Sequence, residues 1–204
     1  MREPTRRLPA DVPCPSLIAD LAAARELPSR ATVFRAGARA QHVYFLQRGR
    51  VLLHRFGPGG EEVVIHAAAA GEFFAEASLH SERYHCTATA EEPSRVAAIE
   101  SKALRQRIQS DPAFAMQWVE IVSRQLRRLR ARVERLSLRS AAERVQHLLL
   151  TEGQGTPPAF TPGGTLRQLA AELGLTHEAL YRTLSALERD GRIARRDGRL
   201  LLLG

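Results

Sequence analysis

The segment Thr176-His-Glu-Ala-Leu-Tyr-Arg182 holds the side chains of this 204-residue chain whose types and spacing best fit a chemical task. A glutamate accepts a hydrogen bond from cytosine N4, and an arginine grips guanine O6 and N7 with two bonds. Glu178 and Arg182 stand one helical turn apart, so both face the same way and suit the reading of base pairs. His177, beside them, suits a base edge or a phosphate oxygen equally well. Thr176 is placed to cap the helix and to bond a phosphate, a contact that fixes register without reading sequence. Arg192, Arg195, Arg196 and Arg199 form a basic cluster just beyond, matched to a phosphate backbone.

Such residues need a helix that a major groove can accept. Leu166, Leu169, Ala170 and Leu173 recur at helical spacing, and Leu180, Leu184 and Leu187 give a second helix its buried stripe. Gly174 stops the first helix where a left-handed residue is required. Two helices joined by a short glycine-containing turn predict a helix-turn-helix, and the basic tail predicts a hairpin wing. Ser140 opens a further helix, Ala141 to Leu150, which gives way to a loop at Gly153-Gln-Gly-Thr-Pro-Pro. The expected partner is double-stranded DNA.

Upstream, Asp111 as cap and Pro112 at the first helical position start a long helix. Val119, Val122, Leu126, Leu129, Val133 and Leu136 follow at spacings of three, four, three, four and three. That is a heptad seam of roughly two and a half repeats. Two readings stand: a pair of such helices in a homodimer, or one amphipathic helix lying on its own domain. Arg124, Arg127, Arg128, Arg130, Arg132 and Arg135 crowd the other faces and need solvent, which favours the pair. A symmetric dimer would set two reading helices one DNA turn apart, ~34 Å.

Residues 31–100 divide into short strands. Val43-Tyr-Phe-Leu, Arg50 to Phe56, Glu62-Val-Val-Ile-His, Tyr84 to Ala90 and Arg95 to Ile99 are separated by turn signals, with Gly57-Pro-Gly-Gly a hairpin. A small antiparallel barrel or roll is expected, preceded by a helix at Leu17 to Glu26 that Pro28 closes. The fold class is α+β. The expected domains are a sensor roll at 1–110, a dimerisation helix at 111–139 and a winged helix-turn-helix at 140–204.

Net charge is +8, unevenly spread. Residues 1–100 balance twelve basic against twelve acidic side chains, residues 101–139 hold ten against three, and residues 140–204 eight against seven. Of the thirty basic residues only Lys102 is not arginine, a bias that arginine-favouring codons explain without a special need for guanidinium. There is no long apolar run, and Pro4, Pro9, Pro13 and Pro15 interrupt the start, so neither a signal peptide nor a membrane span is expected. Two cysteines are too few for a disulfide framework, and a reducing cytoplasm follows as the expected setting. Nucleophile elbows, phosphate loops, zinc motifs and paired catalytic carboxylates are missing, which speaks against an enzyme.

From about Ala31 to Gly204 the chain resembles the Crp/Fnr family of bacterial transcription regulators, relatives of the cAMP receptor protein. The carrying motifs are Gln47-Arg-Gly-Arg-Val, Gly71-Glu-Phe-Phe-Ala-Glu-Ala-Ser-Leu, Arg139-Ser-Ala-Ala-Glu-Arg-Val and Leu173-Gly-Leu-Thr-His-Glu-Ala-Leu-Tyr-Arg. The resemblance implies a cyclic-nucleotide-binding-like jelly roll, a homodimer on an inverted repeat of TGA-type half-sites, and contact with RNA polymerase. Glu178 and Arg182 match the family's base-reading glutamate and arginine, and His177 takes its variable position.

The effector turn departs from the nucleotide-binding pattern. Gly71, Glu72 and Glu76 are retained, and Glu76 matches the carboxylate that bonds a ribose hydroxyl. Ala75 replaces the preceding glycine. The phosphate-gripping Arg-Ser pair falls on Tyr84 and His85, with Arg83 one residue off, a slip that reverses the face of a strand. Leu129 and Arg130 stand where hydroxyls meet the purine. A cyclic phosphate needs a cation or a nest of N–H donors, so cAMP is disfavoured and the effector is left unnamed.

An iron–sulfur cluster wants four cysteine ligands, which Cys14 and Cys86 cannot supply in one subunit. His85 and Cys86 point to opposite faces of a strand, so either alone could ligate haem, but not both one ion. Three further readings stay open. Cys86 is a redox thiol activated by Arg83, with Cys14 as a possible disulfide partner; or it is an ordinary packing residue; or the roll is vestigial and the regulator constitutive. No metal site is expected, since His42, His54, His66, His80 and His147 lack ligand spacing.

Overall fold

The computed structural model describes residues 11–203. Pro4, Pro9 and Gly204 lie outside the described residues. Two compact units divide between Trp118 and Val119.

The first unit holds a 3₁₀ turn at Ser16–Ile18, β1 (Ala22–Leu27), β2 (Thr32–Phe34), β3 (His42–Arg48), β4 (Arg50–Phe56), β5 (Glu62–Ala69) and β6 (Phe73–Phe74). A second 3₁₀ turn at Glu76–Ser78, then β7 (Thr87–Ala90) and β8 (Ser94–Glu100), complete the strands. Among the described residues they form two antiparallel sheets, ordered β1-β8-β3-β6 and β2-β7-β4-β5. One core draws on both: Tyr44, Leu46, Phe74 and Val96 from the first, Phe34, Val51, Leu53 and Ala88 from the second. The expected roll is therefore present, and Gly57-Pro-Gly-Gly turns β4 into β5 with Gly57 N–H bonded to the Glu61 carbonyl at 2.8 Å.

Two expectations fail in this unit. Leu17 to Glu26 is not a helix, because Ala22–Leu27 pairs residue for residue with Ser94–Ile99 of β8. The ten residues expected as helix are too few to hold one in isolation, and an open sheet edge overrides alanine's propensity. Tyr84 to Cys86 is not strand either: Tyr84 N–H bonds the Ala38 carbonyl at 2.9 Å, so the chain joins the 37–40 loop before entering β7. The alternation of faces survives, with Tyr84 and Cys86 buried and His85 exposed.

A helix then begins ten residues before the expected start: α1 (Ser101–Ser110) precedes α2 (Pro112–Ser137). Its signal is short, since Ser101 and Leu104 are its buried positions. Asp111 breaks the two apart and caps α2, its Oδ1 accepting the Phe114 N–H at 3.0 Å. Along α2, Val119, Val122, Leu126, Leu129, Val133 and Leu136 are all exposed, Leu129 by 49%. Each seam side chain thus keeps a large part of its apolar surface open to solvent.

In the second unit α3 (Ala141–Glu152) starts with a capping box between Ser140 and Glu143. There follow β9 (Ala159–Phe160), α4 (Leu166–Glu172), α5 (His177–Arg189), β10 (Ile193–Arg196) and β11 (Arg199–Leu202). The wing sheet has the order β10-β11-β9, so the stretch expected as loop after Gly153 contributes a third strand. Asp197 and Gly198 both have positive φ, +49° and +74°, the two-residue turn that matches the twist of a hairpin. Among the described residues, no helix is long and apolar enough to cross a membrane.

Arg135 corrects the expectation that every arginine of α2 faces water. It is 3% exposed and its Nη2 donates to Glu152 Oε1 at the end of α3 and to Thr151 Oγ1 at 3.3 Å. Removing one partner of a buried pair strands the other charge. Glu152→Ala is expected to destabilise the second unit by about 2 kcal/mol, below the usual cost of breaking a buried pair because Glu152 is partly hydrated. Chemical denaturation of the full chain measures it, and Arg135→Met in the Glu152→Ala background is expected to recover most of the loss.

Candidate nucleic-acid interface and sensor turn

Helix α5 begins as its residues require. Thr176 Oγ1 accepts the Ala179 N–H at 3.1 Å, and Gly174 takes the left-handed φ of +64° that ends α4. α4 itself is opened by a Thr165–Gln168 capping box. Leu180, Leu184 and Leu187 are buried against Leu148, Leu169 and Leu173. That leaves Glu178 and Arg182 exposed on the opposite face and His177 exposed at the first helical position. The Glu178 carboxyl is held below its usual range, chiefly by its own backbone N–H and then by the Thr176 hydroxyl.

The wing arginines divide. Arg192, Arg195 and Arg196 are all exposed, and Arg195 is in addition bonded within the chain. Its Nε donates to Glu188 Oε2 at 2.9 Å, and its guanidinium lies 6.0 Å from the centre of the Tyr181 ring. These contacts fasten the wing to α5. Tyr181 itself, 55% exposed, went unnoticed in the sequence although it stands one turn beyond His177 on the same face.

In the first unit the sensor turn keeps a glycine's geometry without the glycine. Ala75 has φ +65° and is buried. A β-carbon in that conformation costs roughly 1–2 kcal/mol. Gly71 opens the turn at φ +92°, and Glu72 Oε2 accepts the Ala69 N–H at 3.1 Å. Burial raises the Glu76 carboxyl above its usual range, and the charge of Glu72 adds to the effect.

The phosphate-grip positions are otherwise engaged. Tyr84 donates its hydroxyl to the His42 carbonyl at 2.8 Å, accepts the His42 N–H at 3.0 Å, and stacks on Phe34 with ring centres 3.8 Å apart. His85 Nδ1 lies 2.9 Å from Ser78 Oγ, and Arg55 Nε donates to the His85 carbonyl at 3.0 Å. Arg83 turns to the Gly37 carbonyl at 2.6 Å. Tyr84 and His85 place no guanidinium at these two positions, and that of Arg83 is bonded to a backbone carbonyl. Leu129 and Arg130 belong to α2 in the second unit and are exposed. An open cleft of about 440 Å³ in the first unit is lined instead by Ser16–Asp20 and Arg107–Gln117 residues, away from the sensor turn.

The redox expectation also meets a correction. Cys86 is 1% exposed within the core of the roll, and its thiol is pushed up by burial first, with Arg55 opposing and Glu76 reinforcing. Arg83, expected to activate it, is bonded elsewhere. Cys14 is half-buried and also raised by burial. Both cysteines are free thiols. Among the described residues, no group of three or more His, Cys, Asp or Glu is arranged to hold a metal ion.

A β-roll, a long helix with an unpaired apolar seam and a winged helix-turn-helix together define a class, the two-domain DNA-binding transcription regulators. The family model of the cyclic nucleotide-binding domain matches residues 24–111, and that of the Crp-like helix-turn-helix domain matches residues 143–203. The cAMP-activated global transcriptional regulator CRP of Pasteurella multocida is 30% identical over 169 residues, covering 79% of this chain and 80% of that protein. The cyclic AMP receptor protein of Thermus thermophilus is 30% identical over 169 residues, covering 82% and 77%. Among solved structures, FixK2 from Bradyrhizobium japonicum shares the fold with a TM-score of 0.66 at 20% identity, over 90% of this chain and 93% of that one. The chain belongs to the Crp/Fnr family, which is a family of transcription regulators and not of enzymes.

A thiol reacts with oxidants when it is accessible and substantially ionised, and Cys86 is neither. In a native titration with a thiol-specific disulfide reagent, Cys86 is expected to react far more slowly than in denaturant. Cys86→Ser should leave the native trace unchanged, whereas Cys14→Ser should remove most of it.

Proposed function

We propose that the protein is a homodimeric transcription regulator that binds an inverted repeat of TGA-type half-sites and does not answer to cAMP. One observation carries this reading: Glu178 and Arg182 stand exposed on the face of α5 opposite its buried leucines, with His177 exposed at its N-terminal end. In it, Arg182 bonds guanine, Glu178 accepts from the paired cytosine strand, and His177 adjusts a neighbouring pair. Thr176, Arg192 and Arg196 hold phosphates. Residues 1–110 act as the sensor unit, 111–139 as the dimerisation helix and 140–204 as the reading head, with RNA polymerase as the downstream partner in the cytoplasm.

The exposed seam of α2 supports the dimer, because six apolar side chains in water have an evident use against a second copy. The hydrogen bonds of Tyr84 and the left-handed Ala75 support a sensor that refuses the cyclic nucleotide. The aromatic stack that Tyr84 completes also favours a second reading, a constitutive regulator whose roll is filled by its own side chains. A haem or other small-molecule effector at His85 is the remaining alternative, visible as a Soret band in the purified protein.

Binding isotherms on a selected site and on random duplex test the reading. Arg182→Ala is expected to cut the ratio of specific to random affinity by about 1–3 kcal/mol, roughly 5- to 150-fold, while weak random binding persists. The native isotherm should be the same with and without cAMP. An unchanged ratio overturns the base contact, and a cAMP-dependent rise in affinity overturns the sensor reading.

Leu129→Asp is expected to split the dimer, since it sets two carboxylates face to face in an apolar seam. Sedimentation at low micromolar concentration should show monomers that no longer bind the site. A dimer surviving the change would assign the seam elsewhere.

A further inference from the structure

We infer that Tyr181 is a further specificity-determining residue, reading the C5-methyl group of a thymine next to the pairs read by Glu178 and Arg182. This rests on the DNA-reading role proposed for α5. Tyr181 is three residues after Glu178 and four after His177, so its ring lies on their face. It is 55% exposed, although the other large apolar side chains of α5 (Leu180, Leu184 and Leu187) are buried. More than half of the ring is thus left open to solvent between Glu178 and Arg182, beyond what its contact with Arg195 covers.

The ring is also held. The Arg195 guanidinium lies 6.0 Å from its centre, within reach of the attraction between a cation and an aromatic face. Arg195 is in turn fixed by Glu188, through Nε at 2.9 Å and through its backbone N–H at 3.3 Å. Glu188 is seven residues after Tyr181, two turns along the same side of α5. The sequence Tyr181–Arg195–Glu188 therefore links ring, wing and helix, and braces the ring before any ligand arrives. Arg195 is a positioning residue here.

The chemistry of the ring selects what it can read. Glutamate and arginine take the hydrogen-bonding edges, and the one apolar group a base pair offers in the major groove is the thymine methyl. Burying one methyl group against a ring is worth about fourfold in affinity.

The test begins with selection of sites from a random duplex library by the full-length native protein. Each thymine of the selected half-site is then replaced singly by uracil, which removes the methyl and keeps the pairing edge. The native protein should lose about fourfold at one thymine adjacent to the pairs read by Glu178 and Arg182. Tyr181→Ala should show a uracil-to-thymine ratio near one at that position, Tyr181→Phe should keep the native ratio, and Arg195→Ala should reduce it. Indifference of the native protein to every methyl overturns the inference, as does an unchanged ratio in Tyr181→Ala. A uniform loss by Tyr181→Phe on all sequences would assign the hydroxyl to a phosphate and also overturn it. Failure to select any inverted repeat would instead strike the DNA-reading role of α5, so the two failures are separable.

Discussion

A helix anchored by one apolar stripe has a single rotational setting, and in α5 that setting decides everything the reading head can do. Leu180, Leu184 and Leu187 are held in the core by Leu148, Leu169 and Leu173. Each further residue of α5 is then fixed in direction by a 100° step, so His177, Glu178, Tyr181 and Arg182 are exposed by default. The cap at Thr176 and the left-handed Gly174 fix where the helix begins, and so how its first turn is presented. A side chain at Gly174 would face strain from φ and from space together, its β-carbon falling 3.0 Å from Leu136 and 3.2 Å from Arg144. The tight turn between α4 and α5 is thus required by packing as much as by hydrogen bonding.

In the roll the same logic runs the other way: side chains occupy the positions at which a ligand would need free groups. Tyr84 satisfies its hydroxyl on both backbone groups of His42, so bonding a ligand there would first require those bonds to be broken. Ala75 holds the left-handed conformation at the entry of the Glu76 turn, where a glycine would sit without strain. Burial makes ionisation of Glu76 unfavourable, and the sign follows from linkage. A carboxyl raised in the folded state contributes stability below its unfolded range and loses it as pH rises through the folded value. The turn is an internally satisfied structure with one uncomfortable carboxyl.

Local signals made the reading head legible and tertiary ones made the rest less so. The helix-turn-helix is readable because its leucine spacing, glycine and cap all lie within thirty residues and agree. The Asp111-Pro112 start is readable for the same reason, since the cap bond to Phe114 is local. Ala22–Leu27 misleads because its strand identity comes from β8, about seventy residues away. α1 escapes notice because ten residues with two buried positions give too short a period to separate from a loop. Arg135 reads as solvated until Glu152 is brought beside it, and the Glu188 partner of Arg195 is likewise set by the fold. An arginine's role depends on which carboxylate reaches it first, and that is a property of the fold.

The helix α2 runs for 26 residues, and its C-terminal end lies within the second unit. An effector acts only through a difference in affinity between two arrangements. At the C-terminal end of α2 the join to α3 is made by a buried ion pair, Arg135 with Glu152, and by Arg144, whose Nε donates to the Leu138 carbonyl at 3.1 Å. The Nη1 of the same arginine reaches the Leu173 carbonyl at 3.1 Å, at the very turn that sets α5. Buried charge pairs tolerate small displacements poorly, because a lengthened bond leaves a desolvated charge uncompensated. Within the second unit these bonds tie the end of α2, α3 and the α4–α5 turn to one another, so the turn that sets α5 is held from the same corner as the end of α2.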